Sequence, residues 1–323
     1  MRRILANLLC EDELAGRRSS PPRAVLETVA RMAPLLRVFA REGDRLWSPA
    51  PGPDLESGPL RALPPADEVL AWCETPSALE HRGGPRRPTT IDWGAPLHDL
   101  VWQLPTPSPA VVATVHHRAF HLQVAKSIGC ALPGARMVES LPELDRILRE
   151  APPAWVVKAP LSASGRSRFI GKSVERNGPS LTDHKSRRTV ERLFDHHGPL
   201  LFEPWLERTA DFGVSALLGP DQLKIVGVHG QRIDRKGQFA GIDLHPDLSG
   251  QDRDRLLKTT EAVAAALRRA GYVGPFGIDA WRYRREDGAL VLHPLGEINA
   301  RMTFGLVAWT AAGRLDPAGE RSG

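Results

Sequence analysis

Three polar residues, Glu297, Asn299 and Arg301, are spaced two residues apart in the segment GEINARMTFG, residues 296–305. They follow the apolar run ALVLHPL, which is typical of a buried strand. Because alternate residues of a strand face the same side, one face beside a core would carry a carboxylate, an amide and a guanidinium. These groups require a compensating partner, since unpaired polar groups are costly to bury.

A fourth polar residue, Asp279, lies in the preceding segment FGIDAWRYR. The intervening turn REDG predicts a hairpin that places Asp279 opposite Glu297 to within about one residue. Opposed like charges destabilise a ladder by about 1 kcal/mol, which a cation between them would offset. Two carboxylates and the amide oxygen of Asn299 are hard ligands that suit Mg²⁺. Arg301 on the same face would neutralise a phosphoryl group as its charge develops.

A purely structural alternative assigns the two acids no shared role. Asp279 would pair with a surface arginine such as Arg282, and Glu297 would be exposed to solvent. The position of both acids inside apolar strands favours the metal site over this alternative.

A phosphate site is expected upstream, because Mg²⁺ on acidic residues usually accompanies phosphate. Lys158 ends the apolar segment AWVVK, and the loop SASGRSR with Ser164 and Gly165 follows it. A lysine there can reach a phosphate, and the backbone N–H groups of such a loop can bind phosphate oxygens. The P-loop pattern is absent, and the alternative is an ordinary lysine at the end of a strand.

The segment LFEPWLERTADFGV predicts a site for a nucleoside. Glu203, Trp205 and Leu206 lie where a strand ends at a proline, so exposed backbone there could contact an adenine edge. Asp211 follows five residues after Leu206 and could bind ribose hydroxyls. The alternative is a strand end with a packed tryptophan.

A further cation, Arg118, lies at the start of a predicted helix in VHHRAF and is either a phosphate ligand or an ordinary surface arginine. The histidine pairs beside it and in FDHHG consist of adjacent residues, whose side chains point about 100° apart in a helix. They therefore do not suit one zinc ion.

The elements that must position these residues mix helices with antiparallel hairpins, which predicts an α+β fold with sheets packed on helices. From residue 111 onward, helices are predicted in RAFHLQVAKSIG, SRRTVERLFDHHG and SGQDRDRLLKTTEAVAAALRRAG, with strands between them. Before residue 111 we predict strands in RRILANLL, LLRVFA and DRLWSPA, a helix in PRAVLETVARMAPLL, and two loops rich in proline and glycine.

Composition restricts the class of protein. The chain has 323 residues, 41% of them hydrophobic, and a formal charge of +5. No apolar run is long enough for a membrane span, and no basic stripe interleaved with aromatics indicates nucleic acid. The N-terminus is a poor signal peptide, because acids interrupt it early. Three widely spaced cysteines fit neither a disulfide framework nor zinc, so we expect a reduced, cytoplasmic protein.

Taken in order, these segments resemble the ATP-grasp superfamily over residues 111–310. WVVKAPLSASGRSR is similar to its phosphate-contacting strand, lysine and flexible loop, and LFEPWLERTADFGV to its adenine hinge and ribose acid. GIDAW followed by GEINARMTFG resembles its Mg²⁺-binding Asp, Glu and Asn. TVHHRAFHLQVAKSIGCALPGARMV resembles its entry segment, where the superfamily usually has a lysine and this chain has Arg118.

The resemblance implies two α+β subdomains, residues 111–200 and 201–323, that clamp ATP behind a smaller α/β domain of residues 1–110. It implies a ligase that phosphorylates a carboxylate with ATP and forms an amide-type bond with an amine. Lys158 and Arg118 would hold phosphates, and Arg301 would stabilise the acyl phosphate. Asp279, Glu297 and Asn299 would hold Mg²⁺, two ions in this superfamily, for which Mn²⁺ would be able to substitute.

Two other functions fit the same residues. One is a nucleotide-binding module without turnover, which the close acidic residues disfavour. The other is a kinase that releases a phosphorylated small molecule. The substrates are expected to be amino acids or peptide-like molecules. Residues 1–110 and 229–245 are expected to shape the pocket that binds them. The oligomeric state is not predicted.

Overall fold

The structure, a computed structural model, describes residues 1–17, 21–88, 90–150, 152, 154–162, 167–172, 181, 184–233 and 239–315. Within these ranges the strands form three separate sheets with helices packed against them. This mixture of helices and largely antiparallel strands confirms the predicted α+β class.

The first sheet is small and parallel. Its strands are β1 (Arg2–Leu5), β2 (Arg45–Trp47) and β3 (Glu68–Ala71), in the order β2-β1-β3. The helices of this region are α1 (Cys10–Leu14), α2 (Arg23–Met32), α3 (Pro76–Arg82) and α4 (Leu97–Gln103). Parallel strands joined through helices agree with the α/β character expected for the N-terminal region.

The strand prediction for LLRVFA is wrong, because Ala33–Phe39 form a 3₁₀ helix. Pro34 lies in its first turn, where the missing N–H removes no hydrogen bond. The buried residues Ala33, Leu36 and Phe39 are three apart, which is the repeat of a 3₁₀ helix. Apolar content alone suggested a strand, but the spacing of the apolar residues decides the helix.

The second sheet is antiparallel, with the strand order β4-β7-β5-β6. It contains β4 (Arg136–Val138), β5 (Ala154–Lys158), β6 (Arg168–Lys172) and β7 (Leu200–Pro204), and it packs with α7 (Leu141–Leu148) and α8 (His184–His197). Trp155 is fully buried in its core against Phe202. A Cβ built on Gly171 would lie 2.2 Å from the Trp155 ring, so this glycine makes room for the indole.

The third sheet has five antiparallel strands in the order β10-β9-β8-β11-β12. The strands are β8 (Arg208–Leu218), β9 (Leu223–Ile233), β10 (Phe239–Asp243), β11 (Gly274–Arg284) and β12 (Leu290–Asn299). They pack with α5 (Pro109–His116), α6 (Arg118–Ser127), α9 (Gly250–Arg269) and α10 (Phe304–Leu315). The long helix α9 begins at the Ser249 cap and ends before Gly271, whose φ of 80° suits glycine.

Side-chain alternation gives the third sheet two chemically different faces. Cross-strand pairing puts one set of apolar residues on the face that forms the main core with α9, namely Phe212, Val214, Ala216, Phe276, Ile278, Ala280 and Ile298. The opposite face, called the polar face below, carries Asp211, Gly213, Ser215, Gly277, Asp279, Trp281, Glu297 and Asn299. The core on one face therefore fixes which residues the other face presents.

The division into units at residues 110 and 200 stays a prediction. The contacts add that α5 and α6 pack on β12 and share the core of the third sheet, whereas the second sheet has a separate core between residues 138 and 202. Among the described residues, no helix combines the length and apolarity needed to cross a bilayer.

We predict that Trp155→Ala lowers the free energy of unfolding by about 3–5 kcal/mol, because it leaves a cavity in a core that Gly171 cannot fill. Urea denaturation measures this loss. Leu290→Ala is the control, because Leu290 is 52% exposed and its truncation should cost less than about 0.5 kcal/mol. Equal effects of the two substitutions would contradict the packing described here.

Candidate active site

The hairpin of β11 and β12 has the predicted register. Asp279 lies directly opposite Glu297, and Gly277 lies opposite Asn299. All four positions are on the polar face, so the carboxylates and the amide come together as the sequence predicts. The neighbouring strand β8 places Gly213 beside Asp279, which leaves room next to the carboxylate for residues of β9.

Two amides hold the Asp279 carboxylate. Gln231 donates its Nε2–H to Oδ1 at 2.8 Å, and Asn299 donates its Nδ2–H to Oδ2 at 3.0 Å. Burial, followed by the charge of Glu297, nevertheless raises the pKa of Asp279 to about 6. The alternative partner Arg282 is not involved, because it pairs with Asp252 at 3.2 Å. The repulsion expected between the two acids is therefore present.

Arg118 connects the hairpin to the segment that follows β5. Its Nη2 donates to Glu297 Oε1 at 2.9 Å and to the Ser162 carbonyl at 3.2 Å. Its Nη1 donates to Ser162 Oγ at 2.9 Å and to the carbonyl of Ala159. Arg118 is buried as the first residue of α6, so it is not an ordinary surface arginine.

Lys158 and Glu203 form a second buried ion pair, with 2.5 Å between Nζ and Oε2. They lie on the neighbouring strands β5 and β7. Burial alone would raise the pKa of Glu203, but the charge and hydrogen bond of Lys158, together with the nearby charges of His121 and Arg118, outweigh it, so the pKa lies below its ordinary value. Lys158 thus ends β5, as the sequence predicts.

The predicted nucleoside segment links the second and third sheets. Trp205 donates its backbone N–H to the carbonyl of Ala154 at 2.9 Å, which fixes the end of β7. Leu206 packs in the cluster that contains Trp281. Asp211 lies opposite Trp281 on the polar face and pairs with Arg208 at 3.2 Å. Asp211 therefore lies in the row of side chains next to Asp279.

Arg301 does not lie where the sequence predicts. Strand β12 ends at Asn299, and Arg301 lies in a bend beyond it. The Arg301 Nε lies 3.6 Å from Glu11 Oε1, and its guanidinium is 5.4 Å from the Trp72 ring. The expectation of a continuous strand face was wrong at this residue, because the strand stops two residues earlier. Arg301 faces the N-terminal region instead.

Ser164 and Gly165 lie outside the described residues.

The residues that the sequence did not point to are Gln231, Arg168 and Arg208. Arg168 lies opposite Lys158 on β6. Burial, together with the nearby charges of Arg208 and Arg118, lowers the pKa of Arg168. Four cationic side chains thus lie near one another at the edge of the polar face: Arg118, Lys158, Arg168 and Arg208. The only sequence signal for Arg168 was its place opposite Lys158 in a hairpin.

The donor chemistry of the hairpin fits Mg²⁺. Asp279, Glu297 and Asn299 offer oxygens on one face. Burial and the charge of Glu297 raise the pKa of Asp279, and a divalent cation would offset both effects. The described residues contain no group of three or more His, Cys, Asp and Glu side chains arranged to hold a metal. A cation here would accordingly rely on two carboxylates, one amide and oxygens from phosphate or water.

Solved structures share this architecture. Biotin carboxylase from Campylobacter jejuni, as a βγ-ATP complex, matches with a TM-score of 0.57 and 13% identity, covering 98% of this chain and 68% of that one. Carboxyaminoimidazole ribonucleotide synthase from Aspergillus clavatus, complexed with ATP, matches with a TM-score of 0.53 and 14% identity over 94% of this chain and 70% of that one. The chain has the ATP-grasp fold.

A further ATP-grasp structure, N5-carboxyaminoimidazole synthetase from Staphylococcus aureus complexed with ADP, matches with a TM-score of 0.51 and 10% identity over 94% of this chain and 70% of that one. No protein-family model matches the sequence, and no curated protein is significantly similar to it. The ATP-grasp fold predicted from the sequence is thereby confirmed through structure.

We predict that Asp279 makes the stability of the protein depend on pH. Its folded pKa of about 6 exceeds its ordinary value of 3.8, so the native state binds the extra proton. The free energy of unfolding should therefore fall as the pH rises between these values. Asp279→Asn should remove this dependence and stabilise the protein without added nucleotide by on the order of 2 kcal/mol at neutral pH.

Urea denaturation across this pH range measures the effect. Asp221→Asn is the control, because Asp221 is exposed between β8 and β9 and its carboxylate stays in contact with water in the folded protein. A wild-type slope that persists in Asp279→Asn would show that other groups cause it.

Proposed function

We propose that the protein is an ATP-dependent ligase that joins a carboxylate to an amine and releases ADP and phosphate. The observation that carries this proposal is the placement of Asp279, Glu297 and Asn299 on one sheet face directly opposite Arg118. Acids that would hold Mg²⁺ and a cation that would hold phosphate are thus in contact. The solved ATP-grasp structures complexed with ADP or ATP support a nucleotide as the ligand.

The proposed reaction has two steps. A carboxylate oxygen attacks the γ-phosphorus of ATP, the bond to the β-phosphate oxygen breaks, and ADP leaves with an acyl phosphate formed. The amine nitrogen then attacks the acyl carbon, the bond between that carbon and the phosphate oxygen breaks, and phosphate leaves as the amine loses a proton. Mg²⁺, when bound, supplies positive charge that draws electrons away from the transferring phosphoryl group.

The residues of this chain position the charged groups. Arg118 is anchored by Ala159 and Ser162, so its guanidinium is held where phosphate oxygens would replace Glu297 as its partner. Lys158 supplies a second charge from the end of β5. Charge fixed before the reaction needs no reorganisation as the transition state forms.

Arg301 and Glu11 are proposed to face the carboxylate and the amine. Glu11 is buried and the Arg301 side chain is 15% exposed. Apart from their ion pair at 3.6 Å, neither oxygen of Glu11 nor the Nε of Arg301 has a hydrogen-bond partner among the described residues. Buried polar atoms of this kind require a partner. Their place between the N-terminal region and the metal-binding hairpin agrees with an acceptor site shaped by residues 1–110, for a small amino acid or peptide-like substrate.

Turnover can be tested directly. The protein is incubated with ATP, Mg²⁺ and pools of amino acids, while ADP and phosphate are followed and products are analysed by mass spectrometry. An amide product supports a ligase, and a released phosphorylated substrate would indicate a kinase. Nucleotide binding without ADP formation on any substrate would indicate a binding module, and no nucleotide binding would refute the proposal.

We predict that Glu297→Gln weakens the binding of Mg²⁺-ATP at least about tenfold, because it removes a charged metal ligand. Isothermal titration calorimetry with Mg²⁺, and again with a chelator, measures the change. The loss should appear only with Mg²⁺ present.

The matched control for this prediction is Glu261→Gln, an exposed acid on α9. It should bind Mg²⁺-ATP like the wild type. Equal affinities of Glu297→Gln and the wild type in Mg²⁺ would contradict the metal site.

A further inference from the structure

The polar face of the five-stranded sheet continues into an apolar surface. Gln231 of β9 lies on the polar face, because it is the cross-strand partner of Asp211. Ile233 follows two residues later on β9, so its side chain points to the same side of the sheet. Phe239 is the partner of Ile233 on the edge strand β10 and lies on this side as well. Apolar side chains therefore lie directly beside the charged ones.

The exposure of these two side chains is uncommon in this protein. Ile233 is 41% exposed and Phe239 is 39% exposed. Of the exposed large apolar side chains in the described part of the chain, these two alone are cross-strand partners. Contiguous exposed apolar surface marks ligand-binding grooves and contact sites more often than scattered single residues do.

A row of aromatic side chains holds the Phe239 ring. The ring stacks on Phe304, the first residue of α10, with 5.5 Å between centroids and 22° between planes. Phe304 is half-buried and packs in turn on the buried Trp72, with 4.8 Å between centroids. The Trp72 carbonyl accepts the backbone N–H of Met302 at 3.0 Å, which ties the N-terminal region to the start of α10. We call the surface formed by Ile233, Phe239 and Phe304 the apolar wall.

The apolar wall adjoins the proposed reaction site. Gln231, which donates to Asp279 Oδ1 at 2.8 Å, precedes Ile233 by two residues, or about 7 Å along the strand. On the side of α10, the Arg301 guanidinium lies 5.4 Å from the same Trp72 ring on which Phe304 packs. A molecule whose carboxylate reaches a phosphoryl group beside Asp279 would therefore have its next carbon atoms close to the wall.

We propose that the substrate activated by ATP is an amino acid with a branched or aromatic apolar side chain, and that this side chain packs against the apolar wall. The inference rests on the proposed function, because it concerns the carboxylate substrate of that reaction. Contact with the wall removes apolar surface of both partners from water, which favours binding. A charged side chain would lose hydration there, since the three side chains of the wall offer it no counter-charge.

Formation of ADP with single amino acids tests the substrate class. The wild-type protein is incubated with Mg²⁺, ATP and either leucine, phenylalanine, glycine or glutamate. The kcat/KM should be at least about tenfold higher with leucine and phenylalanine than with glycine and glutamate, because a few carbon atoms in an apolar pocket give discrimination of this size.

A mixture of leucine and glycine shows which of the two substrates the wall contacts. The activated substrate supplies the acyl group of the product. Mass spectrometry should therefore find leucylglycine and no glycylleucine.

Variants of Phe239 give the second arm of the test. Phe239→Ala should raise the KM for leucine about tenfold and change kcat by less than about twofold, because the ring contributes binding alone. Phe239→Leu should retain most of the wild-type affinity for leucine. Calorimetric affinity for Mg²⁺-ATP should stay unchanged in both variants, which shows that they are folded.

Leu290→Ala is the matched control for these variants. Leu290 is also a large apolar side chain that is exposed, and it lies at the opposite end of β12 from Glu297. Its truncation should leave the KM for leucine and the affinity for Mg²⁺-ATP at their wild-type values.

The proposal is overturned if glycine or glutamate is the better substrate, if glycylleucine forms, or if Phe239→Ala keeps the wild-type KM for leucine. In each of these cases the formation of ADP leaves the proposed ligase standing. Binding of Mg²⁺-ATP without ADP formation on any of the four amino acids also overturns it, and the wider pools of amino acids then decide between a ligase and a binding module. A wild-type protein that does not bind Mg²⁺-ATP would refute both.

Discussion

The repulsion between Asp279 and Glu297 is the constraint around which this site is built. The two carboxylates face each other across the last hairpin, partly shielded from water. Gln231 and Asn299 donate to the first, and Arg118 donates to the second. These three partners come from different strands and from a helix of another segment, so the charged pair ties the sheet, α6 and the segment after β5 together.

The two faces of the five-stranded sheet explain how a hydrophobic core and a charged cleft coexist. The apolar face buries its side chains against α9, and alternation then leaves the intervening residues on the polar face. Gly213 leaves room for the side chains of His229 and Gln231, and Gly277 leaves room for Thr303. A shift of register by one residue would exchange the faces, so the core that stabilises the sheet also holds the site in place.

The charged side chains around the polar face are paired with each other. Arg118 pairs with Glu297, Lys158 with Glu203, and Arg208 with Asp211. In the proposed complex, phosphates would meet Arg118 and Lys158, and a metal ion would meet Glu297. Paired charges reduce the cost of burial, and a nucleotide with its metal would exchange these pairs for equivalent ones.

The sequence by itself determined the local features: the hairpin register, the polar spacing of Glu297 and Asn299, and the long helices with their caps. These depend on periodicity and turn residues, which are properties of short segments. The tertiary structure decided which distant groups meet. Arg301 turns to Glu11 because β12 ends, and Arg208 reaches Trp281 because Gly296 lets the ring lie flat. No local pattern encodes such contacts, since they join residues that only folding brings together.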